Sequence, residues 1–247
     1  MCAVSGKPGN LTLLFLVSVS IFGLLLSIVF AVYPPKLEDN FAFRNIAVGS
    51  AFAAVCVLGI LAVLYPNPCS RILNFGKRYS YASSSRRGHE SALRGHHPTC
   101  KGYSKHVLRI GDKRFCATCS GLSVGAIVVL AGIGAYFFGN LRIGENPLML
   151  VSAGAAGLVL GLFYPTVAPS FGNGFTRFFA GILFAVGSFL ILVAMEEAAA
   201  NTSIDLFFVV LSVLWILTRI SVSQWEHQRT CSHCPSVSCT VKKEKMR

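Results

Sequence analysis

His96-His-Pro-Thr-Cys100, then fifteen residues, then Cys116-Ala-Thr-Cys119-Ser-Gly-Leu-Ser-Val-Gly125: this stretch decides how the rest of the chain is read. His97 and Cys100 stand as His-x2-Cys and Cys116 and Cys119 as Cys-x2-Cys, which is the spacing of metal ligands. Between the pairs, His106-Val-Leu-Arg-Ile110 and Lys113-Arg-Phe115 flank Gly111-Asp112, a dipeptide that closes tight β-hairpins. The second pair opens a long apolar run whose length only a helix accommodates.

Knuckle, hairpin, and a helix whose first turn holds ligands is the order of parts in a treble-clef zinc finger, here with its helix continuing into a membrane. Zinc takes four ligands in a tetrahedron, and His97, Cys100, Cys116 and Cys119 supply such a set, with His96 as an alternative or additional ligand. Cys116 and Cys119 at i and i+3 project from one side of a helix start, and the positive helix end favours their thiolates. Three other readings stay open: ordinary cytosolic thiols at a membrane surface, a redox dithiol of Cys116 and Cys119, and an iron-sulfur cluster on Cys100, Cys116 and Cys119. A second constellation lies in the tail, where His227, Cys231, Cys234 and Cys239, with His233 between, have enough donors for a second metal site. No hairpin or helix signal frames it, so a flexible cysteine-rich tail and a composite site with the first cluster compete with that reading.

Working outward, the 247 residues are 53% hydrophobic and only 13% charged, with a mean hydropathy of +0.62, which is too apolar for a soluble domain of this length. The expected fold is an all-α membrane protein of about six transmembrane helices. Spans are expected at 11–33, 45–65, 117–138, 147–164, 175–195 and 204–222, each close to the ~20 residues that cross a bilayer. A cleaved signal peptide competes for the first, but its apolar run exceeds the usual signal core. Glycines at 49, 59, 125, 132, 134, 154, 157 and 161 give spans two to four small-residue faces on which helices approach closely. The organisation is therefore helices 1 and 2 over residues 1–65, a basic loop with knuckle and hairpin over 66–115, helices 3 to 6 over 116–223, and a cysteine-rich basic tail over 224–247.

The formal charge of +12 would ordinarily point to nucleic acid, but its placement points to a membrane. With the N-terminus inside, nineteen cations fall on the cytosolic side, against Lys36, Arg44 and Arg142 outside. That asymmetry supports both termini cytoplasmic in a cell membrane and accounts for the charge without nucleic acid. Residues 66–114 carry eleven cations against Glu90 and Asp112. Among them, Arg71, Lys77, Arg78, Arg86 and Arg87, interleaved in part with Phe75, Tyr79 and Tyr81, suit anionic lipid headgroups or a protein partner. Nine cysteines is an odd count, so one chain cannot pair them all, and eight lie in segments expected in the reducing cytosol, where metal is favoured over disulfide.

Ion and proton pathways need ionisable groups near the bilayer centre, and spans one to five have none in their interiors, which weighs against a metal or solute transporter. Arg219 is expected to snorkel from the cytosolic end of span six, and Glu196, Glu197 and Asp205 to mark the outer boundary. No phosphate-binding loop, serine nucleophile motif or zinc-protease motif occurs.

The run Cys116-Ala-Thr-Cys119-Ser-Gly121, with histidines about twenty residues upstream and Gly125 after it, resembles a family of predicted prokaryotic multi-pass membrane proteins of unknown function. In that family a Cys-His pair precedes a Cys-Ala-Arg-Cys-Thr-Gly run entering a membrane helix. The resemblance spans 96–126. His96-His97 stands in place of Cys-His, and Thr118 in place of the arginine. It implies a prokaryotic source and a topology, but no reaction.

Overall fold

The computed structural model describes residues 10–35, 43–64, 107–110, 113–139, 141, 146–167 and 173–232. Helices α1 (Asn10–Val32) and α2 (Arg44–Leu64) precede a hairpin of β1 (Val107–Ile110) and β2 (Lys113–Cys116). Then follow α3 (Ala117–Ile133), prolonged as a π-helical turn over Gly134–Phe138, and α4 (Pro147–Val167), α5 (Gly174–Ala199) and α6 (Thr202–Ser232). Six helices among the described residues are long and apolar enough to cross a membrane, which makes this a multi-pass, helical membrane protein. Their outward faces carry exposed Leu14, Phe15, Phe22, Leu58, Ile127 and Phe179, side chains that suit lipid.

The bundle is built around α5. Ile191, Leu192, Val193, Ala194 and Met195 are all fully buried. Five consecutive residues at 100° per step point in every direction, so neighbours enclose this part of the helix on all sides. Lipid tails are as apolar as leucine, so burial gives the helices little reason to associate, and close van der Waals contact must do so instead. α4 and α5 come into backbone contact, where a Cβ on Gly187 would lie 2.6 Å from the Gly154 carbonyl oxygen and 2.8 Å from the Leu158 nitrogen. Gly157 and Gly161 continue that face against Leu183 and Phe184, and Gly125 and Gly132 of α3 meet Ala185 and Phe189 on the other side of α5. The expected small-residue faces are thus real at these positions, and α5 is what they receive. Gly59 and Gly134 have no such neighbour among the described residues.

On α6, Thr218 meets Ser20 of α1 at 2.8 Å, and the Trp215 indole N–H donates to the Ser20 carbonyl at 3.3 Å. Ser188 and Ser212 donate to carbonyls one turn back in their own helices, at 3.0 and 2.8 Å. These bonds satisfy the hydroxyls of Ser20, Ser188, Ser212 and Thr218 inside the bundle. A tight turn joins α5 to α6. Ala200 adopts a left-handed φ of 47°, and Asn201 caps α6 by accepting from the Ser203 and Ile204 amides at 3.0 and 3.3 Å. The sixth helix runs well past the expected end of its span, to Ser232, so a helix frames the start of what the sequence presents as tail.

Candidate functional site

β2 ends at Cys116 and α3 starts at Ala117, so the hairpin feeds a membrane helix with no intervening loop. The strands pair antiparallel, Val107 with Cys116 and Leu108 with Phe115, and the pairing of Ile110 with Lys113 leaves two residues to connect them. Cys116 sits at the N-cap position in extended conformation (φ −67°, ψ 117°), and Cys119 occupies the first turn. Both are half-buried, and neither is in a disulfide. The Cys119 thiol donates to the Cys116 sulfur, and the backbone N–H groups of Cys119 and Thr118 and the charge of Arg177 add to its effect. Together they outweigh burial and lower the Cys116 thiol from 9.0 to about 6.

Close packing of α3 on α5 brings Arg177 to this end. Gly121 lies against the Phe178 carbonyl, and a Cβ on Gly181 would be 3.1 Å from the Thr118 carbonyl oxygen. Arg177 is 3% exposed and grips Glu226 of α6 with both terminal nitrogens, at 3.0 and 2.6 Å. Two turns before Glu226 lies Arg219, also 3% exposed. Among the described residues its Nε and Nη2, and Nε of Arg177, are buried without a hydrogen-bond partner. The expectation that Arg219 snorkels is corrected here. Because α6 continues past it, its head would have to travel about 10 Å along the helix merely to reach the level of Glu226, and it stays inside the bundle.

The opposite end carries a second polar cluster. Arg44, at the start of α2, contacts Asp205 at 2.8 Å, the Glu196 carboxylate at 3.0 Å and the Glu196 carbonyl at 2.6 Å. The Tyr136 hydroxyl, presented by the π turn, lies 2.5 Å from Glu196 and 3.2 Å from Glu197. These acids therefore do more than mark a boundary: they tie α2, α3, α5 and α6 together. Tyr136 and the Arg177–Glu226 pair carried no local signal in the sequence. What could have found the pair is the turn at Ala200 and Asn201, since Arg177 and Glu226 lie at similar chain distances from it on antiparallel neighbours.

Of the expected ligands, the structure brings Cys116 and Cys119 together, while His96, His97 and Cys100 lie outside the described residues, as do Arg71, Lys77, Arg78, Arg86 and Arg87. In the tail constellation, His227 and Cys231 occupy positions one turn apart on α6, and Cys234 and Cys239 lie outside the described residues. Among the described residues no three or more His, Cys, Asp or Glu side chains are arranged to hold a metal. No family profile, no curated protein and no solved structure matches this chain.

Proposed function

We propose that this membrane protein, with both termini cytosolic, holds one zinc ion at its inner face as a structural or sensory module, ligated by Cys116 and Cys119 together with Cys100 and His97. The observation that carries the reading is the hairpin's delivery of Cys116 to the N-cap of α3, with Cys119 in the following turn and its thiol on the Cys116 sulfur. Zinc requires its sulfur ligands as thiolates, and the surroundings of Cys116 already favour that form. The motif's resemblance to prokaryotic membrane proteins fits a bacterial or archaeal cell membrane, and the cations of residues 66–114 suit its anionic headgroups. Elemental analysis of purified protein beside the Cys116→Ser variant tests the proposal. About one zinc per chain is expected in the wild type and little in the variant, and a metal-free wild type would overturn it.

A second reading is favoured by the same Cys119-to-Cys116 hydrogen bond, an arrangement that activates a nucleophilic thiol. The pair would then be the dithiol of a membrane oxidoreductase, giving two electrons and two protons to an acceptor such as a quinone as the disulfide forms. Cys100→Ser separates the two, because a zinc site loses metal whereas a Cys116/Cys119 dithiol still cycles.

A further inference from the structure

Arg177 and Arg219 are each 3% exposed, yet they use their guanidinium groups differently. Arg177 presents its two terminal nitrogens end-on to the Glu226 carboxylate, one to each oxygen, at 3.0 and 2.6 Å. Arg219 has Nε and Nη2 buried with no acceptor among the described residues. Nη2 is the terminal nitrogen on the same side of the guanidinium as the Nε–H, so the two atoms form one edge of the fork. Their parallel N–H groups match two oxygens of a single carboxylate or phosphate. What Arg219 leaves unused is therefore one whole bidentate edge.

Seven residues make close to two whole turns, so Arg219 projects from the face of α6 that Glu226 turns toward α5, about 10 Å further into the bundle. The neighbouring hydroxyls are engaged elsewhere, Thr218 with Ser20 and the Leu214 carbonyl and Ser212 with the Phe208 carbonyl. Both oxygens of Glu226 are taken up by Arg177. A charge further off steadies a cation but gives its N–H groups no acceptor, since a hydrogen bond needs an oxygen within about 3.2 Å. Burying such donors unmet is costly, and an ionisable side chain kept at that cost inside a span marks a ligand site. A third buried donor without an acceptor among the described residues, Nε of Arg177, stands on the same seam between α5 and α6. The Arg219 edge uses both oxygens of a carboxylate, whereas a phosphate has oxygens left for Arg177. We infer that Arg219 anchors a phosphate-binding site between α5 and α6, taking two oxygens of a phosphate group, of a lipid headgroup or free in solution, through its Nε and Nη2. The inference goes beyond the zinc reading and does not depend on it, because no thiol takes part.

The test uses the full chain in neutral detergent, stripped of lipid, with the thermal unfolding midpoint followed by fluorescence of the buried Trp215. Two probes are added separately: inorganic phosphate against chloride of equal ionic strength, and phosphatidylglycerol against phosphatidylcholine in equal amount. A ligand that binds only the folded state raises its midpoint, so wild type should shift upward, saturably, with at least one probe. A response to phosphate identifies a site open to soluble anions, and a response to phosphatidylglycerol alone identifies a lipid headgroup site. Arg219→Met should respond to neither, and without a probe it should unfold above wild type because it no longer buries unmet donors. Arg219→Lys keeps the charge but loses the edge, and with one charge-assisted hydrogen bond gone it should bind about 10- to 100-fold more weakly. Wild type that responds to neither probe, or equally to both lipids and not to phosphate, overturns the inference. So does an Arg219→Lys of wild-type affinity or an Arg219→Met that responds as wild type does. If Arg219→Met and Arg219→Gln both fail to fold, or both unfold below wild type without a probe, the arginine has its acceptor within the chain and the inference is overturned as well.

Discussion

Replacing Arg44 by methionine removes a cation that joins the starts of α2 and α6 to the end of α5. The side chain is 14% exposed, its partner Asp205 is fully buried, and three contacts of 2.6 to 3.0 Å go with it. At an effective dielectric near 20, each ion contact is worth roughly 5 to 6 kcal/mol before desolvation. Stripping water from the guanidinium and carboxylates offsets most of that, and removing one member of a buried pair leaves a net loss of about 3 to 5 kcal/mol. Most of this loss is the cost of keeping the Asp205 carboxylate buried without Arg44. Asp205→Asn should therefore cost less than Arg44→Met, and the double variant should cost less than the two single losses added, with a coupling of at least about 1.5 kcal/mol. Trp215, fully buried on α6, reports the loss of packing by a red shift in its fluorescence as denaturing detergent is titrated against the folded protein. An Arg44→Met midpoint indistinguishable from wild type, or single losses that simply add, would refute the assignment of the Arg44 cluster as a four-helix clasp.

Gly187→Val should destabilise the bundle by several kcal/mol in the same titration, since even its first carbon would meet the Gly154 carbonyl at 2.6 Å and force α4 from α5. Gly59→Ala, with open space around it, should leave the midpoint unchanged. Ala200→Gly should raise stability by up to about 1 kcal/mol, because glycine relieves the left-handed strain at φ 47°. In metal-free protein the alkylation rate of Cys116 should rise through about pH 6, and Cys119→Ala should move that midpoint upward by removing the largest cause of the shift. Since the folded value lies below the unfolded one, the thiolate's contribution to stability is present in full above about pH 9 and declines as pH falls toward 6, which unfolding of the stripped protein at several pH values would register.

The six spans were legible because a run of some twenty apolar residues has one stable conformation in lipid. The hairpin was equally legible, because Gly111-Asp112 between alternating residues is a local instruction. The adjacency of Cys116 and Cys119 was legible from their spacing, although Cys116 is the extended N-cap that ends β2 and only Cys119 lies in the helix. Which helix stands at the centre did not. Every span is apolar on all faces, so hydrophobicity cannot tell the lipid-facing side of α1 from the enclosed α5, and only the meeting of Gly154 with Gly187 and of Gly121 with Phe178 settles it. The fates of Arg44, Arg177, Arg219 and Glu226 were decided in the same way. A lone charge in a span end has a local meaning, that it lies near water, and a tertiary one, that it faces another charge across the bundle. The second prevails once helices far apart in sequence pack side by side and exclude the water that the first assumes.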